Sequence, residues 1–131
     1  MPDDNRESLM LLRLEKAEDC LRSAIREAKA KAYKSAANRS YYCILHAIRA
    51  VLALDCFDSK RHSAVISEFG RRYIKEGDFP KDFSKMIQRA FEVRNDSDYD
   101  DFYVISKNQV DQQIISAKTI LKAVEDYLKT L

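Results

Sequence analysis

Ala36-Ala37-Asn38-Arg39-Ser40-Tyr41-Tyr42-Cys43-Ile44-Leu45-His46-Ala47 reads as a helix with two unlike faces. Tyr41, Leu45, Ile48 and Leu52 recur at spacings of four, three and four, which makes one apolar stripe. Asn38, Tyr42 and His46 follow one another every four residues on a different face. Three hydrogen-bonding side chains stacked along an otherwise apolar helix need partners, because burying them unpaired is costly. The best source of partners is the polar run Phe91-Glu92-Val93-Arg94-Asn95-Asp96-Ser97-Asp98-Tyr99, on another helix.

Working outward, this second helix spans about Ser35 to Leu54. Its near-total apolarity demands cover on several sides. A first helix runs from about Asp4 to Lys31, where Met10, Leu14, Ala17, Leu21, Ala24 and Ala28 form a heptad seam. A fifth runs from about Asn108 to Lys129, and Val110, Ile114, Ala117, Leu121, Val124, Leu128 and Leu131 keep the same alternation. These two helices are expected to pack together, both antiparallel to the second. Between them, His62 or Ser63 opens a short third helix with Val65, Ile66, Phe69 and Tyr73 on its apolar side, closed by Gly77. Pro80 precedes a fourth helix whose core face holds Phe83, Ile87, Ala90 and Phe91. One more turn of that face lands on Arg94, then Asp98. Residues 100–105 read as an extended linker.

Composition agrees. Of 131 residues only two are glycine and two proline, too few turn-formers for a β-sandwich or barrel. The chain is long enough to bury a core as one domain, 1–131, and the expected class is all-α: an up-and-down bundle of four main helices plus a short one. The net charge of +2 carries no global nucleic-acid signature, but it is unevenly spread. Residues 31–75 hold nine Lys/Arg against three Asp/Glu, and residues 76–131 hold eight against eleven. A basic middle can attract phosphate. Cys20, Cys43 and Cys56 lack metal-ligand spacing, and no signal or spanning segment is evident, so the expected location is the cytoplasm with reduced thiols. No metal or cofactor is expected.

Arg94 is the sharpest single residue. A guanidinium on the continuation of a core stripe must be paired or face a cleft. Asp98, one turn on, can pair with it. From the residues alone the structural pair is favoured over a phosphate-facing arginine, because ion-pair networks imitate sites. His46 is the only histidine inside a firmly read helix, and an interior hydrogen-bonded histidine is commoner than a catalyst. His62, after Lys60-Arg61, is expected to be exposed and able to touch phosphate. The acidic run from Asp96 to Asp101 is no calcium loop: Asp101 stands where glycine is needed and Lys107 where the bidentate glutamate is needed.

Ala37-Asn38-Arg39-Ser40-Tyr41-Tyr42, His46-Ala47, Lys60-Arg61-His62-Ser63-Ala64-Val65-Ile66, Phe69-Gly70 and Phe91-Glu92-Val93-Arg94 through Asp98-Tyr99 together resemble the HEPN domain. The nearest branch is the small stand-alone HEPN proteins. The resemblance implies a helical bundle, usually a homodimer, often the toxin of a toxin–antitoxin pair whose partner is a minimal nucleotidyltransferase. Catalytic members are implied to be metal-independent RNases. They carry an arginine, four to six residues and a histidine, with two such motifs meeting across the dimer. Here Arg94 matches the arginine, but Tyr99 stands at the histidine position, and no histidine follows His62. A tyrosine hydroxyl, which ordinarily ionises near pH ~10, is a poor base at neutrality. The expected function is therefore the binding half of a two-gene module. Asn38, Arg39, Tyr42, His46, Arg94, Asp98 and Tyr99 would line a dimer cleft for nucleotide, RNA or partner. Two alternatives stay open: a divergent RNase toxin using His46 and Arg94, with Tyr99 as a further candidate, and a stand-alone nucleotide-binding module.

Overall fold

The computed structural model describes residues 2–131, with side chains from Asn5 onward. Asp4, the expected start of the first helix, has its side chain outside that set. Among the described residues there are five helices and no strand: α1 (Pro2–Lys29), α2 (Tyr33–Ala53), α3 (His62–Phe69), α4 (Asp82–Tyr99) and α5 (Lys107–Lys129). The chain is an all-α bundle of four main helices and one short helix.

Helix α2 sits at the centre because nearly everything on it can be buried. Tyr41, Leu45, Ile48 and Leu52 are all inside, and so are Cys43, Ile44 and Val51 on the other sides. Its alanines, Ala36, Ala37, Ala47, Ala50 and Ala53, are buried too. They let Ala17 and Ala24 of α1 approach closely. A deletion of one large side chain here, such as Leu45→Ala, leaves a cavity worth about 2–5 kcal/mol.

The packing order settles the helix directions. At one end Ala24, Ala36, Ala37, Val93, Val110 and Ile114 share a cluster. At the other, Met10 packs with Ala50 and Ala53, and Leu128 joins them. Numbering thus rises together in α2 and α5 and falls in α1 and α4. The expectation that α5 lies antiparallel to α2 is corrected: α5 is antiparallel to α1 and parallel to α2. Heptad spacing fixes which face is buried, but helix direction follows from the number of chain reversals between two helices, and the short α3 adds none.

Boundaries differ where no glycine marks them. Lys31 has φ +61° and reverses the chain between α1 and α2, so α2 begins at Tyr33 rather than Ser35. Helix α3 begins at His62 without a side-chain cap. It continues as a π-turn, Gly70–Ile74, in which the Lys75 N–H donates to the Gly70 carbonyl at 2.9 Å. The wider turn brings both Tyr73 and Ile74 to the core. Gly77, with φ +93°, closes the excursion after the helix has ended. Before α5, Ser106 and Gln109 form a reciprocal capping box. At the far end Leu131 is 71% exposed and leaves the seam.

On α4 the buried line is Phe83, Ile87, Ala90, Val93 and Ser97. Phe91 is half-buried beside it. Arg94 therefore flanks the core line on the Phe91 side rather than continuing it. That places its guanidinium at the seam between α4 and α2.

Candidate functional site

Two adjacent tyrosines of α2 organise the site. Consecutive helical residues point about 100° apart, so Tyr41 turns into the core while Tyr42 stays half-buried at the rim. Their rings meet edge-to-face with centroids 5.2 Å apart. Arg94 of α4 lies over both, its guanidinium carbon 5.5 Å from the Tyr41 centroid and 5.7 Å from that of Tyr42. One guanidinium nitrogen donates to the Tyr42 hydroxyl at 3.2 Å. Arg94 Nε stands 2.9 Å from Asp98 Oδ2. This contact is an ion pair rather than a directed hydrogen bond, since the buried Nε–H finds no acceptor in line. Arg94 is thus held by charge on one side and by two aromatic faces on the other, with 17% of its side chain exposed.

Arg39 covers the outer face of the same ring, 5.3 Å from the Tyr42 centroid. Its guanidinium donates to Asn38 Oδ1 at 2.7 and 3.2 Å. His46 lies one turn along, 6.0 Å from Tyr42 ring to ring. Its Nδ1 is buried without a partner. Burial pushes the His46 pKa down to about 4, helped by the charges of Arg49, Lys16, Arg13 and Arg39. His46 is therefore neutral at pH 7.

His62 belongs to this cluster, against the expectation from sequence that it faces solvent. The α2–α3 connection folds it back so that Nδ1 sits 2.8 Å from the Tyr41 hydroxyl. Its ring lies 5.7 Å from Tyr41 and stands edge-on to Tyr42 at 5.8 Å. Burial lowers its pKa, and Arg94 and Arg49 lower it further. Burial also raises the Tyr41 pKa, against the pull of Arg94, so that hydroxyl keeps its proton. The Lys60-Arg61-His62 run is the only hint of this in the sequence, because Tyr41 and His62 are on different helices and joined by no spacing rule.

Of the seven residues expected to line a cleft, Asn38, Arg39, Tyr42, His46, Arg94 and Asp98 fall together. Tyr99 does not join them: it is 79% exposed at the end of α4. Cations dominate the surroundings, with Arg13, Lys16, Arg39, Arg49 and Arg94 acting on the two histidines. Asp98 and Asp58 are the nearby carboxylates, and Asp58 is itself tied to Arg13 at 3.0 Å and Arg49 at 2.8 Å. Cavities open elsewhere: about 350 Å³ beside Arg6, Met10, Leu54 and Leu128, and about 500 Å³ between α4 and α5 beside Lys85, Arg89, Gln109 and Gln113. Neither includes Arg94 or His62. Among the described residues no group of three or more His, Cys, Asp or Glu is placed to hold a metal ion, and no helix is long and apolar enough to cross a membrane.

The model of the HEPN domain matches residues 10–127, nearly the whole bundle and every residue of the cluster. The chain belongs to the HEPN domain family. Three relatives illustrate the range around this HEPN chain. A UPF0332 protein of Thermotoga maritima is 30% identical over 116 residues, 88% of each chain. Two proteins of Methanocaldococcus jannaschii carry the name "Putative toxin". One is 26% identical over 88% of this chain and 78% of its own. The other is 32% identical over 73% of this chain and 71% of its own. In this HEPN chain, Arg94 of α4 and His62 of α3 both lie against the Tyr41 and Tyr42 rings of α2.

Proposed function

We propose that this HEPN protein is the toxin-type half of a two-protein module, a cytoplasmic homodimer partnered by a minimal nucleotidyltransferase, and that it binds RNA phosphate at Arg94. One observation carries the reading: Arg94 is fixed between two tyrosine rings amid a preponderance of cations. A guanidinium so held loses little freedom when a phosphate arrives and can present its fork to two oxygens. Of the two rings only Tyr42, half-buried at the rim, is within reach of a ligand. Asp98 orients Arg94 from one side and limits its charge, so the outer ring of Arg39 and Arg49 supplies the attraction. The toxin names of two relatives support the module. Because the cluster lines neither of the cavities described, a second protomer facing it would supply the missing wall.

The test is fluorescence anisotropy with a labelled single-stranded oligoribonucleotide. Arg94→Ala removes a charge-assisted contact of about 1.5–3 kcal/mol and is expected to weaken binding on the order of 10- to 150-fold. Equal affinity in the variant would assign Arg94 to the fold alone. Co-expression with the product of the adjacent reading frame, followed by purification on one tag, tests the partner. Separate elution of the two proteins would remove the module from the reading.

A further inference from the structure

The cleft between α4 and α5 shares no residue with the Arg94 cluster, and one of its walls carries an unexplained atom. Gln113 of α5 is only 5% exposed, and its Oε1 is buried without a hydrogen-bond partner among the described residues. A buried amide oxygen left unpaired is costly, so its retention calls for a reason. The open space beside it is this cleft of about 500 Å³. The terminal torsion of glutamine is broad, so a small turn brings Oε1 to face whatever enters. Gln112, Gln113 and Ser116 are spaced by four and three, which puts both amides and the hydroxyl along one edge of α5. Gln109, on the same edge, is already committed: it caps the helix through Ser106 and reaches the Tyr103 hydroxyl.

Helix α4 supplies the charge. Lys85 and Arg89 are four residues apart and exposed, so two cations stand one turn apart on the opposite wall. Among the described residues no carboxylate pairs with Lys85, and Arg89 meets Glu92 only at 4.0 Å. We propose that the α4–α5 cleft is a binding site for a small phosphorylated polyol, with Lys85 and Arg89 on its phosphate and Gln112, Gln113 and Ser116 on its hydroxyls. A phosphate monoester carries close to two negative charges at neutral pH, which two cations match. Amide and hydroxyl groups both donate and accept, as a polyol does. A ligand hydroxyl also gives Gln113 Oε1 the donor it lacks. The half-buried Met86 is the one apolar floor, and no aromatic ring lines the cleft, so nothing there would stack a base. A cleft of this volume suits a small metabolite. Arg94, five residues beyond Arg89, points about 140° away around α4, so the two sites are separate.

The experiment is calorimetric titration of the full chain at neutral pH with glycerol 3-phosphate, inorganic phosphate and sulfate at matched ionic strength. Glycerol 3-phosphate is expected to bind saturably at one site and more tightly than inorganic phosphate, with sulfate weakest because it has no hydroxyl to offer Gln113. Lys85→Ala and Arg89→Ala, both at exposed positions that the fold does not need, are each expected to weaken binding about 10-fold or more. Gln113→Leu separates a site from a structural defect: it removes the orphaned oxygen, so the free protein should melt higher while affinity falls about 10-fold. Lys118→Ala, the same loss of charge outside the cleft, should leave affinity unchanged. Absence of saturable binding, equal affinity for sulfate or for inorganic phosphate, or full affinity in Gln113→Leu would each overturn the proposal. So would an equal loss in Lys118→Ala, which would reduce the effect to overall charge. Displacement of glycerol 3-phosphate by the oligoribonucleotide would reassign Lys85 and Arg89 to RNA and overturn it as well.

Discussion

His46 shows how one side chain can make stability depend on pH. Its folded pKa lies near 4, below the ordinary 6.5, because burial and four cations disfavour the charged ring. The neutral form is therefore the one the fold accepts. Its contribution is complete above pH ~6.5 and is lost as pH falls toward the folded value. A tenfold change in proton affinity corresponds to about 1.4 kcal/mol, and screening at a half-buried ring reduces the total to on the order of 1–2 kcal/mol. Urea unfolding at pH 7 and pH 4.5 should show that loss, and His46→Gln should remove it; an unchanged pH dependence in the variant would mean His46 is better solvated than its orphaned Nδ1 implies. Arg94→Lys probes geometry apart from charge. Lysine keeps the charge but lacks the fork that meets Asp98 and the Tyr42 hydroxyl together. RNA affinity is expected to fall between that of the parent and Arg94→Ala, with the melting temperature little changed because Asp98 is partly solvated. Equal affinity for the Lys variant and the parent would show that charge alone suffices.

At the scale of elements, α2 depends on the close fit of its buried sides. Leu45→Asp places an unpaired carboxylate at a fully buried position and should abolish the cooperative thermal transition seen by circular dichroism. A folded, fully helical variant would show that the phase assigned to α2 is wrong. The α1–α2 reversal is a different kind of joint. Lys31 holds φ +61°, a conformation that costs an L-residue about 1–2 kcal/mol and glycine almost nothing. Part of that gain is offset by the greater freedom of glycine in the unfolded chain, so Lys31→Gly should stabilise by roughly 0.5–1 kcal/mol in urea melts. A loss of stability would mean that the lysine side chain contributes more than the backbone strain costs. The missing glycine is also why the boundary could be placed only to within two residues: nothing in the local sequence announces a left-handed turn there.

At the scale of the whole molecule, Asp58 ties three parts of the chain together. Burial pushes its carboxyl upward, yet the hydrogen bond from Arg49, the Ser59 N–H and the charges of Arg49 and Arg13 prevail and hold it low. It thereby joins α1, α2 and the connection that delivers His62. Asp58→Asn weakens the anchor for an Arg13 that is only 8% exposed. With Asp58 itself half-solvated, the cost should be about 1–3 kcal/mol, below the full range for a buried pair, read as a lower midpoint in urea unfolding. Unchanged stability would assign the network to the surface. The proposed dimer is checked by light scattering across a range of concentrations, where a constant monomer mass would overturn it. The sequence by itself determined the all-α class and the buried stripes of α1, α2 and α5, because helical periodicity is local and repeats along one element; it named the Phe91–Tyr99 run as the source of partners for the polar face of α2, and the structure chose Arg94 for Tyr42. It also supplied the resemblance to HEPN domains, whose short motifs keep their order along the chain. It did not determine the relative direction of α2 and α5, the π-turn after Gly70, or the approach of His62 to Tyr41. Those depend on how separate helices meet, and contacts between residues 21 positions apart obey no period. Only the tertiary structure could place a histidine from one helix beside an arginine from another, since the two tyrosine rings between them belong to a third.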